Sequence, residues 1–131
     1  YLFRNGHLSA MEPQNNAHRE KILPAARYIE QHYQNKLTLE ALSQVAGCSK
    51  YQLCRSFKQT TGGTVVDYIN YVRLHRAQEM LTERSHNMIE IAFECGFGSV
   101  QYFNKVFRKY MGCSPSALKK RTLFEPSSIS G

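Results

Sequence analysis

Residues 42–62 read LSQVAGCSKYQLCRSFKQTTG and residues 91–112 read IAFECGFGSVQYFNKVFRKYMG, two versions of one pattern. Leu42, Ser43, Ala46, Gly47, Leu53, Arg55, Phe57, Lys58 and Gly62 fall in order on Ile91, Ala92, Cys95, Gly96, Phe103, Lys105, Phe107, Arg108 and Gly112. The offset is 49 residues before the turn and 50 after it, so the second copy holds one extra residue within Gly96-Phe97-Gly98-Ser99. Each copy is a short helix, a glycine-containing turn and a longer second helix, which is the grammar of a helix-turn-helix, used twice.

Capping chemistry extends the reading outward. Ile22, Ala25, Ala26, Ile29 and Tyr33 give one face of a first helix, which Asn35-Lys36 should end. Thr38 is placed to accept an orphan backbone donor at the start of a second helix, which Gly47 stops by taking the left-handed conformation. Ser49 caps a third helix, closed by Gly62-Gly63. Thr64 with Asp67 resembles a capping box with a shortened acid and opens a long fourth helix to Glu83, and Asn87 with Glu90 opens a fifth, closed by Gly96. Ser99 opens a sixth, ended by Gly112, and Ser114-Pro115 starts a seventh, because proline at the first helical position forfeits no needed donor. No run of alternating β-branched residues reads as a strand. The expected class is all-α: seven helices in two helix-turn-helix subdomains joined by a long central helix. The expected divisions are 1–18 as linker, 19–63 as the first subdomain, 64–84 as the connecting helix, 85–122 as the second subdomain and 123–131 as tail.

Composition narrows the function classes. The chain has 131 residues, 42% of them apolar, and carries 17 Lys+Arg against 10 Asp+Glu for a net charge of +7. That length excludes a large multidomain enzyme, and no window approaches the roughly 20 apolar residues of a membrane span. A soluble, cytoplasmic protein is expected, and the start on Tyr1 rather than Met suggests a piece of something longer. Cys48, Cys54, Cys95 and Cys113 form no Cys-x-x-Cys pair and read as reduced thiols. His7, His18, His32, His75 and His86 have no i, i+4 pairing or neighbouring ligands, so neither a metal nor a cofactor is expected. Thr61-Gly62-Gly63-Thr64 lacks the lysine and following hydroxyl of a nucleotide-binding loop. No paired carboxylates or nucleophile arrangement stands out, and no catalysis is expected.

The second helix of each copy is built to face a duplex. At about 100° per residue, Leu53, Ser56 and Phe57 share one face, while Tyr51, Arg55 and Lys58 share the other with Cys54 at its edge. In the second copy Phe103, Val106 and Phe107 point inward; Gln101, Lys105 and Arg108 point outward, with Asn104 at the edge. Arg, Lys, Gln and Asn carry the donors and acceptors that match base edges and phosphate oxygens. No Asp or Glu occurs between Glu40 and Asp67 or between Glu94 and Glu125, the two segments that hold these helices. Residues 95–131 alone carry six basic side chains against Glu125. Such placement concentrates positive potential where phosphates would be neutralised. A central helix of 20 residues would span about 30 Å, close to the roughly 34 Å between successive major-groove segments on one side of B-DNA.

Arg73-Leu74, Ala77, Leu81, Ile91-Ala92, Gly96-Phe97, Tyr102-Phe103, Phe107 and Gly112-Cys113-Ser114-Pro115 together resemble the C-terminal signature of the AraC/XylS family of bacterial transcription regulators. The resemblance covers roughly residues 20–121. It implies a two-lobed DNA-binding domain with a recognition helix in each lobe, promoter DNA and RNA polymerase as partners, activation with repression as a further mode, and a place at the bacterial nucleoid. It also implies an N-terminal effector-binding and dimerisation domain outside this chain. Carried over by position, the base-reading residues are Tyr51, Cys54 and Arg55 in the first lobe and Val100, Gln101, Tyr102 and Lys105 in the second. Phosphate contacts are expected from Ser49, Lys50, Lys58, Thr64, Ser99, Asn104 and Arg108. Cys54 offers little hydrogen bonding for a reading position, and Val100 and Tyr102 make the second lobe's front more apolar, which suits thymine-methyl contacts or mainly backbone contacts. The alternative from another class is a protein-interaction module that docks an acidic partner, such as a polymerase subunit, through the basic C-terminal third and touches DNA weakly.

Overall fold

The structure is a computed structural model that describes residues 16–83 and 86–118. Expectations for residues 1–15, for the basic run Lys119, Lys120 and Arg121, and for the tail lie outside the described residues. The described residues hold six complete helices and no strand: α1 Asn16–His32, α2 Leu39–Ala46, α3 Lys50–Thr61, α4 Val65–Leu81, α5 Met88–Glu94 and α6 Val100–Met111. A seventh, α7, opens at residues 115–118.

The chain divides into two compact units, and the boundary falls within α4, between Val72 and Arg73. In the first unit Ile22, Ala25, Ala26 and Ile29 of α1 pack with Leu42 of α2, Leu53 and Phe57 of α3, and Val65, Tyr68 and Ile69 of α4. In the second, Leu74, Ala77, Met80 and Leu81 of α4 pack with Ile91 and Ala92 of α5, Cys95, Phe97, and Phe103, Val106 and Phe107 of α6. Each large side chain withdrawn from water contributes about 1.5–3 kcal/mol, so both small cores rest on these few aromatics and aliphatics. Residues 65–72 of α4 contribute to the first core and residues 73–81 to the second, each part turning its own apolar set inward. It stops at Leu81, two residues short of the sequence expectation, because Thr82 leaves the helical path and its hydroxyl donates to the Glu79 carbonyl at 2.7 Å.

Helix α1 opens at Asn16, inside the stretch expected to be linker, and carries Pro24 in its interior. Proline cannot donate to the carbonyl four residues back, and the defect is tolerated here on an exposed position of the helix. The turn before it is tied down across the unit: His18 Nδ1 is hydrogen-bonded to the buried Ser56 Oγ of α3 at 2.9 Å. A second tie joins α1 to α4, the Tyr68 hydroxyl donating to Glu30 Oε2 at 2.7 Å. Burial and the nearby Glu30 carboxylate push the Tyr68 phenol well above the usual tyrosine pKa.

The duplication runs through the backbone. Helix α2 ends with the Gly47 amide donating to the Gln44 carbonyl and the Cys48 amide to that of Ser43, at 3.2 and 3.1 Å. Helix α5 ends the same way, Gly96 to Phe93 at 3.1 Å and Phe97 to Ala92 at 2.9 Å. Paired bonds of this kind satisfy the last carbonyls of a helix and need a left-handed residue, supplied by Gly47 at φ 72° and Gly96 at φ 90°. The extra residue of the second copy is Gly98, also left-handed at φ 83°. The repeat also extends past the last glycine. Thr64 caps α4 by accepting from the Asp67 amide at 3.0 Å, and Ser114, 50 residues on, caps α7 by accepting from the Ala117 amide at 3.2 Å.

Candidate nucleic-acid interface

The two candidate reading helices are held by their N-caps. Ser49 Oγ accepts from the Gln52 amide at 3.1 Å, and the Gln52 side chain accepts from the Ser49 amide at 3.4 Å, a complete capping box at the front of α3. Ser99 Oγ accepts from the Tyr102 amide at 3.1 Å at the front of α6. Accepting the cap bond leaves each hydroxyl its O–H to donate, and the helix fronts carry no acidic side chain. The orphan amides and positive dipole end of such a front suit an anion.

Inward faces lock each helix in rotation. Leu53, Ser56 and Phe57 are buried on α3, as are Phe103, Val106 and Phe107 on α6, where the Phe103 ring lies 5.0 Å from Phe97 and 5.8 Å from Phe107. The opposite face of α3 exposes Tyr51, Cys54, Arg55 and Lys58; that of α6 exposes Gln101, Asn104, Lys105 and Arg108. Arg55, Lys58, Lys105 and Arg108 form no ion pair among the described residues, so their charge is not spent within the fold. Lys50 is the exception, 3.8 Å from Glu40 across an exposed pair. Such surface pairs contribute little, and this one does not remove Lys50 from reach of a phosphate.

The other carried-over positions are placed less simply. Val100 is half-buried against the second core. Tyr102 is 36% exposed and leans on Phe97, ring centroids 6.2 Å apart. Thr64 is exposed, but its amide already donates to Asp67 Oδ2 at 3.0 Å, which leaves its hydroxyl as the group to meet a phosphate. The amide of Gly63 is likewise taken, by Thr61 Oγ1 at 3.1 Å.

One residue is not marked by helical periodicity. Arg73, at the start of the second unit, is half-buried with the Tyr102 phenol and the Cys95 thiol in its electrostatic surroundings. Burial pulls its pKa down from the usual arginine value, opposed by those two groups. An arginine beside Leu74 on a helix reads from sequence as a solvated neighbour of a core residue, and nothing in the periodicity marks it otherwise. Among the described residues no cluster of His, Cys, Asp or Glu could hold a metal ion. No helix there is long and apolar enough to cross a membrane.

Comparison with known proteins agrees with this architecture. A family model for the helix-turn-helix domain matches residues 42–121. The chain is 31% identical over 119 residues to the HTH-type transcriptional activator RhaS of Salmonella schwarzengrund, covering 91% of this chain and 42% of that protein. It spans less than half the length of the curated relatives it matches first. Among solved structures it is similar to a transcriptional regulator with an AraC-type DNA-binding domain from Chromobacterium violaceum, with a TM-score of 0.73, 26% identity, and 82% and 96% of the two chains covered. It is also similar to the DNA-binding domain of AdpA, a global transcriptional factor, in complex with a target DNA, with a TM-score of 0.70, 26% identity, and 77% and 96% covered.

Proposed function

The chain belongs to the AraC/XylS family, as the DNA-binding domain of a transcription regulator, and from that premise we propose that it reads promoter DNA with two recognition helices, α3 and α6, entering adjacent major-groove segments. The observation that carries the reading is the pair of outward faces. In each copy of the duplicated unit, a helix clamped by its cap and its aromatic core, with no acid in its own sequence, presents to solvent two cations that form no ion pair among the described residues.

Roles follow from position on the helix. Arg55 and Lys105, with Tyr51, Cys54 and Gln101 nearer the fronts, reach base edges. Lys58 and Arg108, a turn further back, reach phosphate together with Ser49, Lys50, Thr64, Ser99 and Asn104. Val100 and Tyr102 contribute apolar contact, to thymine methyls or sugars, because both are already engaged with the core. The protein then works in the cytoplasm as a regulator that recruits RNA polymerase to activate transcription, with repression where the site overlaps a promoter.

Selection of bound duplexes from a random pool tests this. The enriched site should show two boxes about one helical turn apart. Arg55→Ala should lose about 1–3 kcal/mol of discrimination at one base position, whereas Lys58→Ala should weaken all sequences alike. Equal affinity of the parent chain for every duplex at fixed salt defeats the proposal.

A further inference from the structure

One buried face of α3 is polar where the second copy is apolar. At the 50-residue offset that aligns the two reading helices, Ser56 falls on Val106 and Thr60 on Tyr110. Val106 is buried in the second core and Tyr110 packs against it, so α6 is held at this point by apolar contact. Ser56 and Thr60 are also buried, at 1% and 8% exposure, and lie one turn apart on one side of α3. Thr60 Oγ1 has no hydrogen-bond partner among the described residues. Ser56 Oγ meets His18 Nδ1 at 2.9 Å, a bond between residues 38 apart in the chain.

His18 is placed for this bond by its own helix. It stands four residues before Ile22 and so continues the stripe of Ile22, Ala26 and Ile29 that α1 buries in the first core. A leucine there would extend the stripe, whereas the imidazole satisfies a hydroxyl whose burial without a partner is costly. The two kinds of contact also differ in what they fix. Apolar packing is non-directional, but a hydrogen bond weakens steeply as its angle is lost, so it holds a helix in rotation as well as in distance. The outward face of α3 is sensitive to rotation. Arg55, adjacent to Ser56, projects about 100° round the helix, and a turn of about 10° moves a group about 6 Å from the axis by about 1 Å. Hydrogen bonds to base edges tolerate about half that displacement.

We infer that His18 is a positioning residue for DNA reading: through its bond to Ser56 it sets the rotation at which α3 presents Tyr51, Cys54 and Arg55. It acts through α3 and touches neither base nor phosphate. The inference rests on the reading of α3 as a recognition helix, and it adds a determinant on α1, outside both helix-turn-helix copies. The first lobe alone carries this directional contact, because Val106 offers no hydrogen bond at the equivalent point of α6.

The test uses the whole chain and a duplex that it selects from a random pool, with a panel of single base-pair changes across the site. Loss of preference in Arg55→Ala and in Lys105→Ala assigns the positions read by α3 and by α6. The variants are His18→Leu, which removes the bond and keeps the apolar stripe; Ser56→Ala, which removes it from the other side with a good helix former; the double; and His18→Asn, whose amide can stand in for Nδ1. Each is melted first, so that titration is done well below its unfolding transition. Discrimination at the α3 positions should fall about fivefold in each single variant and no further in the double, while the α6 positions stay within about twofold of the parent. His18→Asn should recover most of the loss. Parent-like discrimination at the α3 positions in either single variant, additive losses in the double, or an equal loss at both sets of positions reduces the bond to a stability contact and overturns the inference, with the DNA-binding reading left standing. If His18→Leu does not fold, Ser56→Ala decides by the same criteria. A parent chain that prefers no duplex defeats the recognition-helix reading and the inference with it.

Discussion

Ser49 combines two roles that substitution can separate. Its side chain caps α3 through the 3.1 Å bond from the Gln52 amide, and the same residue stands at the proposed phosphate contact. Ser49→Ala removes the acceptor. Because Ser49 is exposed, the freed amide returns to water, and the cost is that of a lost cap, about 1 kcal/mol. For a unit of this size that lowers the melting temperature by about 4–8 °C. Ser49→Asp keeps an acceptor at the cap and gains from the helix dipole, so stability should hold or rise by a few tenths of a kcal/mol. It also sets a full negative charge against the expected phosphate, a like-charge contact that costs about 1 kcal/mol in water-like surroundings and more where water is excluded, about fivefold or more in DNA affinity. Thermal unfolding by circular dichroism and anisotropy titration against a selected duplex at two salt concentrations give both readouts. A melting temperature unchanged in Ser49→Ala refutes the cap argument. Duplex affinity unchanged in Ser49→Asp refutes the placement of phosphate at the front of α3.

Arg108→Ala should reduce the slope of log affinity against log salt by about 0.9, the share of one phosphate, without changing base preference; a changed preference would reassign Arg108 to base reading. Phe103→Ala removes a fully buried ring set between Phe97 and Phe107 and should cost the second unit about 3–5 kcal/mol in denaturant titration, with a loss under 1 kcal/mol counting against the described core. Burial pushes the Cys95 thiol from 9.0 up to about 12. The folded state therefore keeps a proton that the unfolded state releases, and stability contributed below pH 9 is lost as pH rises from about 9 to about 12, at up to about 1.4 kcal/mol per pH unit. Cys95→Ala should flatten that part of the stability curve, and identical slopes for parent and variant would dismiss the thiol as its source.

Legibility in the sequence followed the locality of the physics. The caps at Thr38, Ser49, Asn87 and Ser99 each depend on a side chain and an amide three residues away, and each bond is formed. The inward faces of α3 and α6 were equally readable, because one apolar stripe meets one core. Helix α4 was harder: its first half serves Tyr68 and Ile69 and its second serves Ala77 and Met80, so no single stripe runs its length. The early start of α1 was hidden by Asn16 and Pro24, both of which read as breakers, while the bond that secures the first turns, from His18 to Ser56, spans 38 residues. Of the candidate interface, outward direction was legible at every α3 position named. The engagement of Tyr102 on α6 with Phe97 and the half-burial of Arg73 on α4 required the tertiary fold.

The bond between His18 and Ser56 has a mechanical corollary. Pro24 removes one rung from the ladder of α1, and residues 16–23 form a strut held by the buried Ile22 and by the histidine, its rivet to the inner side of the helix proposed to touch bases. Peeling that strut away strips a buried hydroxyl of its partner, at about 1 kcal/mol, and loosens the seat of Ser56 between Leu53 and Phe57. Traction on the chain upstream of Pro24 is thus delivered to the back of α3 rather than dissipated at the surface.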